Sequence, residues 1–290
     1  MIILSIIAII VSAVVIKFIQ PALIWLLCTP NSWRGAESKI SLIGEDEISD
    51  RESVYMLGKQ IIDEAENIWS VGASDWYTLY QIDDYQLVQS KKIDIGPFNN
   101  SGILITRAST IVYNISSRSL FSLMTSKEGF KIIDTLSDPD DFSNTIKHYS
   151  FNKTGATDPT TTFANLTSVR TRLPWPFSLR EFCLLNVINS KSNIFISKSV
   201  RYKSIDGNGS TIKQCYSSSL RAVNTFAIKV ESVGSMEAKV NFINYLDFNG
   251  IPSQIMNWVN GRLFYQIPGG LFDRVKHFVN SNRSNSTTYH

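Results

Sequence analysis

The chain has few histidines, few cysteines and no clustered charge, and each shortage removes a class of function. Lys and Arg number 28 against 25 Asp and Glu, a net charge of +3, and the basic residues are scattered. A nucleic-acid surface needs a concentrated basic face, so nucleic acid is not an expected partner. The three histidines, His148, His277 and His290, have no partner at metal-ligand spacing. Neither a nucleophile elbow, a zinc motif nor a glycine-rich phosphate loop occurs. His148 lies beside Tyr149 on an expected strand, with no serine or cysteine partner evident in sequence, and reads as an ordinary strand histidine. No catalytic residue, metal or cofactor is therefore expected, and the chain does not read as an enzyme. The three cysteines, Cys28, Cys183 and Cys215, are too few and too far apart for a disulfide framework. Cys183 and Cys215 read as buried thiols, with a single pairing as the alternative.

What the chain does have is apolar surface. Hydrophobic residues make up 43% and charged residues 18% of the sequence, the proportions of a globular protein, and aromatics reach 11%. After the N-terminal apolar run, the remaining length suits one domain of about 200 to 250 residues.

Ile2 to Cys28 is almost continuously apolar, broken only by Ser5, Ser12, Lys17, Gln20 and Pro21. As a helix it would be about 40 Å long, against a hydrocarbon core of about 30 Å. Residues 1–28 are expected to be a transmembrane anchor. The alternative is a cleaved signal sequence with its apolar part at Ile2–Ile16, but no cation precedes it and no small-x-small cleavage site follows. Lys17, Arg34 and Lys39 lie within or after the run, which by the positive-inside tendency puts the rest of the chain in the cytoplasm. Asn-x-Ser/Thr acceptors at Asn99, Asn114, Asn152, Asn165, Asn208, Asn282 and Asn285 argue weakly for the luminal side. Residues 29–48 read as a linker, 49–280 as the folded domain, and 281–290 as a disordered tail.

Within the domain, Ser49-Asp50 is placed to cap a helix, and Val54, Leu57, Ile61, Ala65 and Ile68 recur at helical spacing. From Trp76 the period changes to that of strands. A hairpin across Asp83-Asp84 is followed by a strand from Ile103 to Asn114 and a short helix after Ser116-Ser117. Six further strand runs follow between Thr145 and Asp247, each bounded by Gly, Pro, Asn or Ser. With no helix between them, an antiparallel sheet of about eight or nine strands is expected.

The last stretch, from Met236 to Asn280, carries more apolar surface than one face of a small protein usually needs. A strand runs into Asn249-Gly250, and Pro252 opens a long helix interrupted at Pro268-Gly269-Gly270. Ile255, Val259, Leu263, Phe264, Leu271, Val275 and Phe278 form an apolar stripe, widened by Met256, Trp258 and Ile267. By periodicity alone this is a kinked core helix. With the resemblance below it becomes a lid.

Three motifs carry that resemblance. The first is LPWPFSLREFCLL at Leu173–Leu185, a proline-rich loop followed by Arg180, Glu181 and Phe182. The second is YLDFNGIPSQIMNW at Tyr245–Trp258. The third is the Phe/Leu-rich early helix in Ile115–Asp134. Together these resemble the START lipid-transfer domain over roughly Ser49 to Asn280. The resemblance implies an α+β helix-grip fold, in which a curved antiparallel sheet wraps the long C-terminal helix and one lipid lies between them. It implies lipid-contacting or lid roles for Trp175, Phe177, Arg180, Phe182, Phe242, Tyr245, Ile255, Val259, Leu263, Phe264 and Leu271. The sequence departs from the family pattern at Phe130, Ile133 and Asn186, where arginine or tryptophan is usual in part or all of the family. The expected function is a membrane-anchored, non-enzymatic lipid-binding or transfer protein, with phospholipid favoured over sterol. A lipid sensor or tether without transfer activity, or an acyl-lipid hydrolase, is the alternative. The expected partners are a lipid ligand and a membrane. Arg107, Asn186, Arg221, Asn241, Asn244 and Tyr245 are the polar candidates for a cavity wall, their faces unset because a one-residue slip reverses each.

Overall fold

The structure, a computed structural model, describes residues 42, 45–70, 76–81, 86–93, 103–126, 128–129, 145–150, 162–171, 180–205, 211–214, 220–247 and 270–286. The expected anchor, the Pro-Trp-Pro-Phe loop and the helix opened by Pro252 lie outside these residues. No helix among the described residues is long and apolar enough to cross a membrane.

Strand β1 (Asp46–Ile48) leads into helix α1 (Arg51–Ser70). Asp50 caps that helix reciprocally. The Ser53 N–H donates to Asp50 Oδ1 at 2.7 Å, and the Asp50 N–H donates to Ser53 Oγ at 3.2 Å. The first of these bonds does most to hold the Asp50 carboxyl below the usual carboxylate range. Then come β2 (Tyr77–Gln81), β3 (Leu87–Ile93) and β4 (Ile103–Tyr113). Helix α2 (Ser117–Met124) starts at Ser116, whose hydroxyl accepts from the Ser119 N–H at 3.2 Å. The remaining elements are β5 (Thr145–Ser150), β6 (Thr162–Thr171), β7 (Arg180–Asn189), β8 (Ile194–Ile205), β9 (Thr211–Gln214), β10 (Leu220–Arg221), β11 (Val223–Gly234), β12 (Glu237–Asp247) and α3 (Leu271–Ser286).

The main path across the sheet is β2-β3-β4-β12-β11-β8-β7-β6-β5, nine strands, every neighbouring pair antiparallel. Three short strands lie off this path. Strands β1 and β10 run parallel to β8 and β7, and β9 is antiparallel to β8. They are two to four residues long, too short to show a period in sequence. Two elements cross the expected boundaries. Strand β1 lies inside the expected linker, and α3 runs to Ser286, beyond the expected end of the domain at Asn280.

Both faces of the sheet are covered, and strand alternation sorts the core accordingly. On one face Val54, Leu57, Ile61 and Ala65 of α1 meet Ile105, Leu166, Cys183, Leu185, Val187, Ile196, Ala227 and Ile243. Cys183 is buried here and forms no disulfide. The residues before α1 are part of this layer. Leu42 is fully buried, its N–H donating to Glu64 Oε2 on α1 at 2.8 Å and its carbonyl accepting from the Thr225 hydroxyl on β11. Asp46 pairs with Lys198 on β8 at 3.0 Å, and Lys198 has 0% side-chain exposure. Arg201 donates to Glu45 at 3.4 Å. Leu42 and Glu45–Ile48 thus form a strap against α1 and the sheet.

On the other face α2 and α3 cover Val88, Ala108, Phe195, Phe226, Ile228, Val240 and Phe242. Helix α3 contributes Leu271, Phe272, Val275 and Val279, spacings of one, four and eight residues from Leu271 that define one helical stripe. Phe278 turns instead toward α2. Thr110 lies on this face with 0% exposure, and its hydroxyl has no hydrogen-bond partner. Replacing Thr110 by Val keeps the shape and removes that cost. It should raise the unfolding free energy by about 1 kcal/mol in urea denaturation; a loss of stability would mean that the hydroxyl is bonded.

Candidate functional site

The α3-bearing face is organised in rows that run straight across the strands. One row is wholly apolar: Ile188, Phe195, Ile228, Phe242, Ala108 and Val88 are successive register partners from β7 to β3. Phe242 is its centre, with ring centroids 6.1 Å from Phe226 and 6.0 Å from Phe272 of α3. These are tilted aromatic contacts at favourable separation. Here the helix grips the sheet.

The next row, two residues further along each strand, is different. Asn165, Asn186, Ser197, Phe226, Asn244, Thr106 and Ser90 are direct partners from β6 to β3. Six of the seven are polar and none is charged. With neighbouring strands about 4.8 Å apart, this band is about 29 Å long. Thr106, Ser90, Asn244 and Ser197 are buried. Part of the band is paired internally. Asn186 Nδ2 donates to Asn165 Oδ1 at 2.8 Å and to Thr167 Oγ1 at 2.9 Å, and the Ser90 and Thr106 hydroxyls are 2.9 Å apart. Asn165 is a poor glycan acceptor in consequence, because its carboxamide is engaged on this face.

Beyond the band the face becomes mixed, with Thr167, Leu184, Ser199, Asn224 and Leu246 side by side. Val169, Phe182, Leu184, Ala222 and Leu246 make a separate apolar cluster there. Arg180 shares the face of Phe182 and Leu184, 3% exposed, about 20 Å along β7 from Asn186. Glu181 points the other way, where its Oε1 accepts from the Ser168 hydroxyl at 3.2 Å. The alternation expected for this adjacent pair is therefore the one observed.

Of the expected lipid-contacting residues, Arg180, Phe182, Phe242 and Leu271 come to this face. Tyr245 does not. It sits beside Ile243 in the α1-side core, because its odd position on β12 puts it opposite Asn244 and Leu246. Burial first, and the nearby Asp247 charge second, push its phenol well above the usual value, so it stays neutral. Arg107 and Asn241 also face α1. The Arg107 guanidinium is 4.4 Å from the Trp76 ring and donates to the Ile68 carbonyl at 2.9 Å, and Asn241 donates to Glu231 at 2.7 Å. Trp175, Phe177, Ile255, Val259, Leu263 and Phe264 lie outside the described residues.

The band itself escapes a sequence reading. Ser197 and Ser199 flank Lys198 in what looks like a plain polar stretch. Only the register aligns Ser197 with Asn186 and, across Phe226, with Asn244.

A cleft of about 690 Å³ between α2 and α3 is lined by Arg118, Glu128 and three serines above Leu123 and Phe278. It is away from the sheet face. Among the described residues no group of His, Cys, Asp or Glu is placed to hold a metal ion.

An antiparallel sheet gripping a C-terminal helix is the architecture that the sequence resemblance implies. This is a helix-grip arrangement. Solved structures with a similar chain path include human STARD10, at 12% identity and a TM-score of 0.49 over 86% of this chain and 89% of that one. The human StarD13 (DLC2) lipid transfer and protein localization domain matches at 15% identity and 0.40, over 76% of this chain and 94% of that one. The STAR-related lipid transfer protein from Xanthomonas axonopodis matches at 10% identity and 0.43, over 71% of this chain and 99% of that one. No family model and no curated protein matches the sequence.

Proposed function

We propose that this helix-grip domain binds one lipid on the α3-bearing face of its sheet and carries it between membranes. The observation that carries the reading is the division of that face. One part is an apolar row clamped by α3. The other is a buried floor of neutral polar and apolar residues that extends past the helix toward Arg180. A lipid needs such an apolar surface with a few oriented polar groups, and a movable cover. The helix predicted from Pro252 and the Pro-Trp-Pro-Phe loop are the candidates for that cover. The START resemblance of Leu173–Leu185 and Tyr245–Trp258 supports the same reading.

In this proposal Ile2–Cys28 holds the protein in a membrane as a single pass, with the domain in the cytoplasm. Binding and release are non-covalent, and no residue acts as a catalyst. The test is to place the full chain in donor vesicles holding a fluorescent lipid and to add unlabelled acceptor vesicles. The proposal predicts chain-dependent transfer. Binding without transfer would favour a lipid sensor; neither binding nor transfer would overturn the proposal. Protease protection of the intact vesicles reports which side the domain occupies.

A further inference from the structure

We infer that the ligand is a neutral lipid, whose uncharged hydroxyl or ester or amide carbonyl sits on the band at Asn186, Ser197 and Asn224. This deepens the proposed function and rests on it. Three adjacent groups are available. The Asn186 carboxamide oxygen, the Ser197 hydroxyl and the Asn224 carboxamide make no hydrogen bond among the described residues. The groups around them are already engaged: Asn186 Nδ2 on Asn165 and Thr167, and Ser199 Oγ on the Asn224 N–H at 2.9 Å. Asn186 and Ser197 are register partners on β7 and β8, and Asn224 lies diagonally across from Ser197 on β11.

The chemistry of this cluster is specific. It offers hydroxyl and amide donors and carboxamide acceptors, which match a hydroxyl or carbonyl of a ligand. It offers no cation. Phe226 stands in the middle of the row, and the floor is apolar on the α3 side and mixed, with no charged residue among Thr167, Leu184, Ser199, Asn224 and Leu246, on the other. A phosphate brought here would lose its water without gaining a counter-charge, which disfavours it against an uncharged group. Among the described strand residues, Arg180 is about 20 Å along β7 from Asn186, and Arg201, which by alternation shares the face of Ser197 and Ser199, is about 13 Å along β8 from Ser197 and donates to Glu45; both are farther than a phosphate stands from the ester groups of its own lipid. The sequence reading favours phospholipid; the composition of the band reverses that preference.

The test uses the full chain in phosphatidylcholine vesicles, each batch doped with one photoactivatable probe: a diacylglycerol, a sterol, an N-acyl sphingoid base or phosphatidylcholine itself. Crosslinked peptides are mapped by mass spectrometry. This separates lipid on β7, β8 and β11 from lipid around Ile2–Cys28. At least one neutral probe should label those strands about tenfold more than the phosphatidylcholine probe, and Ser197→Ala with Asn224→Ala should remove most of that excess. Because both positions are small polar sites, thermal unfolding of the double variant checks that the fold is kept. Equal or stronger labelling of the three strands by phosphatidylcholine would overturn the inference and leave lipid binding standing. Neutral labelling untouched in a folded double variant would also overturn it. No labelling of the strands by any probe would overturn the lipid-binding reading as well.

Discussion

Asp46→Asn should destabilise the domain by about 2 to 4 kcal/mol, while Lys198→Met should leave its stability unchanged or raise it. The two sides of one ion pair are not equivalent. The Lys198 ammonium is wholly buried on the α1 side of the sheet, and Asp46 is 44% exposed although its Oδ2 is buried. Taking away the carboxylate strands a desolvated charge, which is costly. Replacing the lysine by an apolar side chain of similar length removes the charge that had to be desolvated. The partial exposure of Asp46 keeps the loss below the largest costs seen for buried pairs. Urea denaturation of both single variants and the double variant measures the asymmetry. Equal losses from both single changes would mean that the pair is a net source of stability.

The same lysine gives the stability a pH dependence. Burial is the main influence on its amine and lowers its pKa below 10.5, while Asp46 opposes the shift. In the window between the lowered value and 10.5 the unfolded chain holds more protons than the folded one, so stability rises with pH. In Asp46→Asn that window should widen toward lower pH.

Phe242→Ala should cost about 3 to 5 kcal/mol, the upper range for truncating a buried aromatic. Phe242 is fully buried and touches both the Phe226 ring beside it and the Phe272 ring of α3. Its loss opens a cavity at the point where the helix meets the sheet. The damage should therefore be directional. Protease cleavage within Leu271–Ser286 should accelerate more than cleavage within α1, on the opposite face. A double-mutant cycle with Phe272→Ala should show a coupling of about 1 kcal/mol. A loss below about 1 kcal/mol, or uniform loosening of both helices, would show that the ring does not hold α3.

Much of this architecture is legible in the sequence, because the main strands are long and bounded by turns. The nine strands of the main path, the Asp50 cap, the packing stripe of α1 and the start of a helix after Pro268-Gly269-Gly270 all follow from local pattern. What local pattern cannot carry is register. Tyr245 and Asn244 are neighbours in sequence and lie on opposite faces. Choosing between them requires the pairing of β12 with β4 and β11. The band is harder still, since its seven members come from seven strands and no two are adjacent in sequence. The strap is hidden for another reason. Residues 29–48 have a linker's composition, with Pro30, Asn31, Ser32 and Gly35 ahead of an acidic cluster. The acidic cluster reads as solvated until Lys198 and Arg201 are brought beside it by the fold.

Because Leu42 is pinned between α1 and β11, only the residues from Cys28 to Leu42 are left to act as a leash. Fully extended they reach about 50 Å. With Ile2–Cys28 in a bilayer as proposed, the domain works in a thin shell at an effective concentration on the order of millimolar, whatever the abundance of the protein. Encounter with its own membrane is then never limiting. The rate of exchange would instead depend on whether a second membrane comes within the same short radius.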